Sequence, residues 1–354
     1  YCDFNNYDDF LVALQEAITP EEAEAWYAFP DFTYTARLIS VEEASASVRP
    51  EMKNQLEELA KSLAEKKFLY EDFDTNGTVI YIRTYIFDIA CREIFEQKDT
   101  KMYKACLDWW MYLVDGQGSA KLRAPLPEYR VLSHEGALTG KDEYGRIPMN
   151  LEIPDNREVL PMDLAEELLK ERHSIAVIDC VCRIARDRSN TRTCDHPSNE
   201  ICFIFDHLAD GEIVAGNARA VSVEEAKKIL HHCRDAGLVQ SISDAKKPLS
   251  LCNCCSCCCV CLVSMKRFED TLIRASRFLA DSVHREKCVS CGVCVKACPM
   301  EAITLENGVA QIKGQNCIGC GICASRCPNA VIKMIQRVGA DDRFARDTID
   351  RIYL

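Results

Sequence analysis

Eight cysteines near the C-terminus have the type and spacing of a metal-cluster cradle. Cys288, Cys291, Cys294 and Cys298 are separated by two, two and three residues. Cys317, Cys320, Cys323 and Cys327 repeat that pattern at one constant offset, and each fourth cysteine precedes a proline, Pro299 or Pro328. Three thiolates this close in sequence wrap one 4Fe-4S cubane, while the fourth, held in a turn by its proline, reaches across to the other. The doubled spacing predicts one cluster on Cys288, Cys291, Cys294 and Cys327 and a second on Cys317, Cys320, Cys323 and Cys298. Gly292, Gly319 and Gly321 are expected to let main-chain N–H groups approach the sulfurs, where they stabilise a net negative cluster. Zinc has no need of such a repeat.

The chain has 23 cysteines among 354 residues, and Tyr1-Cys2-Asp3-Phe4-Asn5 lacks the basic-then-apolar pattern of a secretory signal. Metal ligation in a reducing cytoplasm, that of an anaerobe, is therefore expected rather than a disulfide scaffold. Outside the repeat, most cysteines fall in two groups: Cys180, Cys182, Cys194 and Cys202, then Cys252, Cys254, Cys255, Cys257, Cys258, Cys259 and Cys261. As free thiols so dense a run would oxidise readily. One or two additional 4Fe-4S clusters are predicted there, on a site shared by both groups, although sequence neighbours cannot all converge on one metal centre. His196, before Pro197, is a candidate ligand, a hydrogen-bond partner of a cluster sulfur or a brace for the turn; Arg183 and Arg186 are candidates to offset cluster charge. Cys254, Cys258 and Cys261 also match the spacing of enzymes that cleave S-adenosylmethionine, but no run of strands and helices long enough for a barrel surrounds them. Cys2, Cys91, Cys106 and Cys233 stand apart, Cys233 as a core residue.

The elements that must position these groups are partly readable. Met52, Leu56, Leu59 and Leu63 fall at helical spacing, and Asn76-Gly77 separates Phe68-Leu69-Tyr70 from Val79-Ile80-Tyr81 as a hairpin would, which outlines a winged helix. Lys53, Lys61, Lys66, Lys67 and Arg83 are its candidate phosphate contacts. Residues 1–100, however, hold 9 Lys+Arg against 21 Asp+Glu, which opposes nucleic acid and favours docking or dimerisation. A helix over 100–114 carries Trp109 and Trp110 as core aromatics, and Pro125-Leu126-Pro127 reads as an extended arm. Further on, a helix is expected over 163–172 and strands over 175–178 and 201–205. Ser222 with Glu225 forms a capping box for a helix that Gly237 stops. Strands over 303–305 and 331–334 would complete the two halves of the repeat.

The chain is thus expected to be α+β and multidomain: a helical extension (1–50), a winged-helix-like domain plus linker (51–146), a mixed α/β cysteine-rich domain (147–265), a linker helix (266–284), a dicluster ferredoxin-like domain (285–338) and a tail (339–354). In the tail, Phe344, Ile349 and Ile352 would pack back or bridge a second copy in a homodimer. No apolar run reaches the length of a membrane span, and no Gly-x-Gly-x-x-Gly loop, P-loop or His-Glu-x-x-His appears. Residues 251–354 hold 14 basic and 10 acidic residues, a cationic excess that offsets the negative charge of bound clusters.

Cys180-Val-Cys182-Arg183, Cys194-Asp-His196-Pro197 and Cys252-Asn-Cys254-Cys255-Ser-Cys257-Cys258, together with the terminal repeat, resemble a family of 4Fe-4S proteins of anaerobes. Its members have a winged-helix-like N-terminus, a cysteine-rich middle region and a C-terminal bacterial-type ferredoxin domain. The resemblance spans about residues 50–337 and departs from the family at the extra Cys259 and Cys261. It implies electron transfer with a redox partner protein or within an oxidoreductase complex, and an architecture more than a reaction. A redox-sensing regulator acting through the winged helix, and a reductase whose middle cluster has an open iron, are the alternatives.

Overall fold

The computed structural model describes residues 7–30, 38–84, 86–96, 99–115, 129–139, 163–214, 216–267 and 273–339. The Pro125-Leu126-Pro127 arm, Cys2 and the tail past Gly339 lie outside them.

Helices Tyr7–Ala17 and Pro20–Ala28 begin the described chain. The second opens with a reciprocal cap, Thr19 accepting from the Glu22 N–H and the Glu22 carboxylate accepting from the Thr19 N–H. Leu56–Glu65 is a helix whose Leu56, Ala60 and Leu63 are buried at the four-then-three spacing of one face. Strand β1 (Ile39–Ser40) and the hairpin β2 (Leu69–Phe73) and β3 (Val79–Arg83) form a sheet in the order β1-β3-β2. Trp109 and Trp110 on helix Lys101–Val114 are buried. The described part of residues 1–50 does not stand apart as an extension: Ala13, Ala25 and Phe29 share one core with Leu56, Leu63 and Trp110. Three of the five basic residues suggested for phosphate already have partners, Lys61 on Glu57 and Lys66 on Glu22, each at 2.7 Å, and Arg83 over the rings of Trp26 and Tyr27.

A seven-stranded sheet dominates the middle of the chain. Its strands are β4 (Tyr129–Val131), β5 (Ile175–Ile178), β6 (Cys202–Phe205), β7 (Arg219–Ala220), β8 (Val239–Ser243), β9 (Ser250–Cys254) and β10 (Ile273–Arg274). They lie in the order β10-β4-β8-β9-β6-β5-β7, antiparallel except for β10 on β4. Helices Ala165–Lys170 and Val223–Asp235 pack Leu168, Leu169, Ala226 and Leu230 against Val177, Phe203 and Ile242. Only half of the expected capping box forms: Ser222 accepts from the Glu225 N–H, while the Glu225 carboxylate pairs with Arg219 at 2.9 Å.

Two expectations are corrected. Strand β4 enters this sheet from the segment read as a linker. Among the described residues no linker helix spans 266–284: helix Val260–Arg267 ends there, β10 follows, and Phe278–Ser282 is strand β11. In β11, Phe278, Ala280 and Ser282 point inward while Leu279 and Asp281 are partly exposed, a period of two that favours a strand. Strand β11 pairs along its length with β14 (Ile332–Gln336), and β12 (Ile303–Glu306) with β13 (Val309–Ile312) forms a second two-stranded sheet.

Candidate metal centres

The eight cysteines of the repeat line two cavities. The first, partly open to solvent, is bordered by Cys288, Cys291, Cys294 and Cys327. The second, also partly open, is bordered by Cys298, Cys317, Cys320 and Cys323. Each set therefore joins three cysteines of one repeat to the fourth of the other. Main-chain N–H groups point at the sulfurs: Ala302 to Cys298 at 3.3 Å, Val331 to Cys327 at 3.3 Å and Ala280 to Cys317 at 3.5 Å. Burial pushes the Cys320 thiol up to about 12 and raises Cys323 and Cys294 as well. Such thiols give up their protons when a cationic metal replaces it, so the donor set, the cavities and the N–H contacts fit 4Fe-4S clusters.

The glycines do more than bare the backbone. Gly292 and Gly321 precede short helices with φ of 71° and 79°. Gly319 lets Phe278 approach, and Gly321 lets His134 and Ala137 approach. Ser133 and His134 rivet this loop to the large sheet. Ser133 Oγ donates to the Gly319 carbonyl at 2.6 Å, the His134 N–H donates to the Cys320 carbonyl at 2.8 Å, and His134 Nε2 bonds the Leu238 carbonyl at 3.0 Å. Burial takes the His134 pKa down to about 3, so the ring is neutral and donates that last bond.

The middle cysteines meet at one end of the sheet, where antiparallel pairing brings together the end of β5, the start of β6 and the end of β9. They divide into two constellations. Six thiols neighbour one another in a ring, each close enough to perturb the next: Cys180 beside Cys182 and Cys202, Cys182 beside Cys259, Cys259 beside Cys254, Cys254 beside Cys252, and Cys252 beside Cys202. Cys261 touches the ring at Cys259. Hydrogen bonds from neighbouring thiols take Cys180 well below the usual thiol range and Cys254 to about 6, with Ser241 adding a contact to Cys254 at 3.5 Å. The second constellation is a compact quartet, Cys194, Cys255, Cys257 and Cys258, whose four sulfurs all lie within 4.8 Å of one another. The two cysteine groups of the sequence thus meet, at two sites rather than one. The apparent S-adenosylmethionine spacing dissolves, since Cys254 belongs to the ring and Cys258 to the quartet.

Arg183 is fully buried beside both constellations. Its Nη2 donates to the Asn253 carbonyl at 3.0 Å, Nε and Nη1 have no protein partner, and the charges of Cys180, Cys255, Cys254 and Cys202 raise its pKa against burial. A buried cation with unpaired N–H groups beside a set of thiols fits a site made to hold anionic metal–thiolate charge. Arg186 instead pairs with Asp115 at 3.0 Å. His196 is half-buried and is not among the four converging ligands; the Arg192 guanidinium holds its carbonyl. Cys233, fully buried, packs beside Cys180 and Cys202. Asn253, with Nδ2 donating to the Ile201 carbonyl at 2.6 Å, is a positioning residue that sequence reading passed over; its signal was its place between two cysteines of a strand.

Arg183→Gln tests the electrostatic role. Reduction of a cluster held by these thiols would add negative charge that a nearby cation stabilises, so removing the cation should lower that cluster's potential. A unit charge about 7 Å away at an effective dielectric of about 20 is worth roughly 2 kcal/mol, which is about 100 mV for one electron. An anaerobic redox titration followed by electron paramagnetic resonance reads the change; identical potentials in the variant and the parent would exclude this role.

Among known families, a 4Fe-4S dicluster domain matches residues 280–336. The matched segment runs from within β11 to the end of β14 and contains all eight cysteines of the repeat. Neither a curated protein nor a solved structure matches the chain. No described helix is long and apolar enough to cross a membrane.

Proposed function

We propose, from the premise that residues 280–336 form a 4Fe-4S dicluster domain, that this chain is an electron relay with three iron–sulfur centres. Cys288, Cys291, Cys294 and Cys327 would hold the outer one, and Cys317, Cys320, Cys323 and Cys298 the inner one. The ring of Cys180, Cys182, Cys202, Cys252, Cys254 and Cys259 would supply the ligands of a third. When bound, these clusters supply one-electron carriers. One observation carries the reading: Cys254 and Cys259 of the ring share an apolar core with Cys320 and Ile318, and Cys252, Cys261, Cys298 and Cys317 pack against it.

The two ends of the arrangement differ in exposure. Cys291 is exposed, and Val289, Val293 and Leu305 stand out around the first cavity at 65%, 39% and 41%. An apolar rim beside a cluster suits transient docking of a redox partner protein or an oxidoreductase complex. Cys180, Cys202, Cys254 and Cys259 are buried at the other end, with Cys182 and Cys252 partly exposed. The winged-helix-like N-terminal region acts, in this reading, as a docking module in a cytoplasmic, anaerobic setting, because Lys61, Lys66 and Arg83 are already engaged.

The test is iron and acid-labile sulfide per chain on anaerobically purified protein, with paramagnetic resonance after dithionite reduction. Three four-iron centres give about twelve cluster irons and about twelve sulfides, and Cys254→Ser should lower both by about four. About eight of each, unchanged by Cys254→Ser, would overturn the third centre.

A further inference from the structure

We infer that Cys194, Cys255, Cys257 and Cys258 bind a single tetrahedral, thiophilic divalent ion of the zinc class, at a closed structural site separate from every iron–sulfur cluster. The sulfur spacing is the first argument. Cys194 Sγ lies 3.7 Å from Cys258 Sγ and 3.9 Å from Cys255 Sγ, and Cys257 Sγ lies 3.8 Å from Cys258 Sγ. Four thiolates about 2.3 Å from one tetrahedral ion stand about 3.8 Å apart. A cubane binds thiolates at its four outer corners, around a core of four irons and four sulfides, and needs a wider cradle. The eight cysteines of the repeat are set out in that wider manner: among the described residues, only the quartet draws three or more ligand atoms to within 4.8 Å of one another.

The donor set and its surroundings agree with this. Four sulfurs complete a tetrahedron and leave no open position, the mark of a structural rather than a catalytic ion. A divalent ion with four thiolates carries a net negative charge, and two cations face it: buried Arg183 beside Cys255, and Arg192 beside Cys194.

The site also has work to do in the fold. Cys255, Cys257 and Cys258 come from the turn after β9, whereas Cys194 comes from a stretch, residues 191–198, without helix or strand. Arg192 braces that stretch through the Cys194 carbonyl at 2.8 Å, Ser198 Oγ at 2.8 Å and Asp187 at 2.7 Å. The Ser198 carbonyl in turn accepts the Cys180 N–H at 2.8 Å, and Cys180 is a ring member. An ion on the quartet therefore pins the stretch that seats one edge of the ring.

Metal and sulfide analysis of the full chain, purified anaerobically, tests this independently of the relay. The parent should carry one ion beyond its cluster iron, and X-ray absorption at that ion's edge should show a shell of four sulfurs at about 2.3 Å. Zinc gives this at the zinc edge; mononuclear iron gives a ferric tetrathiolate spectrum after mild oxidation, and either ion supports a one-ion site. Cys257→Ser and Cys194→Ser should each lose that single ion with acid-labile sulfide unchanged, and should lose cluster iron faster in air. A parent with no ion beyond cluster iron would overturn the inference, and a loss of about four irons and four sulfides in either variant with no accompanying loss of a single ion would mean that the quartet holds a cubane. The parent spectrum decides the matter even if both variants fail to fold.

Discussion

Cys298→Ala should abolish the inner 4Fe-4S signal, with a loss of up to about four irons per chain, and leave the outer centre intact. Cys327→Ala should do the reverse. The expectation runs against sequence proximity, because Cys298 stands four residues from Cys294 and far from Cys317 along the chain. In space Cys298 borders the cavity of Cys317, Cys320 and Cys323, and the N–H of Ala302 fixes its sulfur there. Cys327 borders the other cavity, with the Val331 N–H on its sulfur. Resonance spectra of the reduced variants, read beside iron content, separate the two centres, since exposed Cys291 makes the outer one the more accessible to a small oxidant. Loss of the outer signal in Cys298→Ala would show that each repeat wraps its own cluster.

The crossed placement of the eight cysteines around the two cavities follows local features of the sequence, two spacings, two prolines and one duplication, while the clusters assigned to each set are what these two variants test. The middle site was legible only as an excess of thiols. What divides the run at 252–261 is the alternation of β9, which turns Cys252 and Cys254 to one face and Asn253 to the other, followed by a turn that throws Cys255, Cys257 and Cys258 toward Cys194. Cys259 then returns to the ring at the start of helix Val260–Arg267. None of this follows from spacing, because the partners Cys180, Cys182, Cys194 and Cys202 arrive through the pairing of β5 with β6 and of β6 with β9. Ser133 and His134 gave no signal at all; their importance comes from the loop they meet.

Of the fold, periodic segments were read well and edges poorly. The helix through Leu56 and Leu63 and the hairpin at Asn76-Gly77 formed where their patterns placed them. The short strands β4 and β10 have three and two residues, too few for a period to show. The supposed linker helix over 266–284 failed because β11 hides its alternation among small residues, Ala280 and Ser282, that carry little hydrophobic contrast. Strands of that kind are defined by their partner, here β14, and the partner is invisible to a local reading.

The largest stability effect should come from Gly319→Ala, at least about 3 kcal/mol, against about 1 kcal/mol for Gly292→Ala. Both glycines have positive φ, 72° and 71°, so both substitutions carry the cost of placing a side chain in the left-handed region. They differ in what a Cβ meets. At Gly292 it would find nothing within 4 Å, whereas at Gly319 it would fall 2.0 Å from the Phe278 carbonyl oxygen and 2.9 Å from Ser276 Cβ. That oxygen cannot easily withdraw, because Arg337 Nε donates to it at 3.1 Å and to the Ser276 carbonyl at 2.9 Å, while the Ser276 N–H is bound to the Ile318 carbonyl at 3.0 Å. Relief would have to move the Gly319–Cys320 loop away from β11, and with it the inner cavity and the Ser133 and His134 bonds. Anaerobic urea unfolding, followed by far-ultraviolet circular dichroism and by cluster absorbance, should show Gly319→Ala unfolding earlier and releasing inner-centre iron before outer. Equal midpoints for the two variants would mean that the contact between β11 and the cluster loop relaxes freely, and that the inner centre does not depend on it.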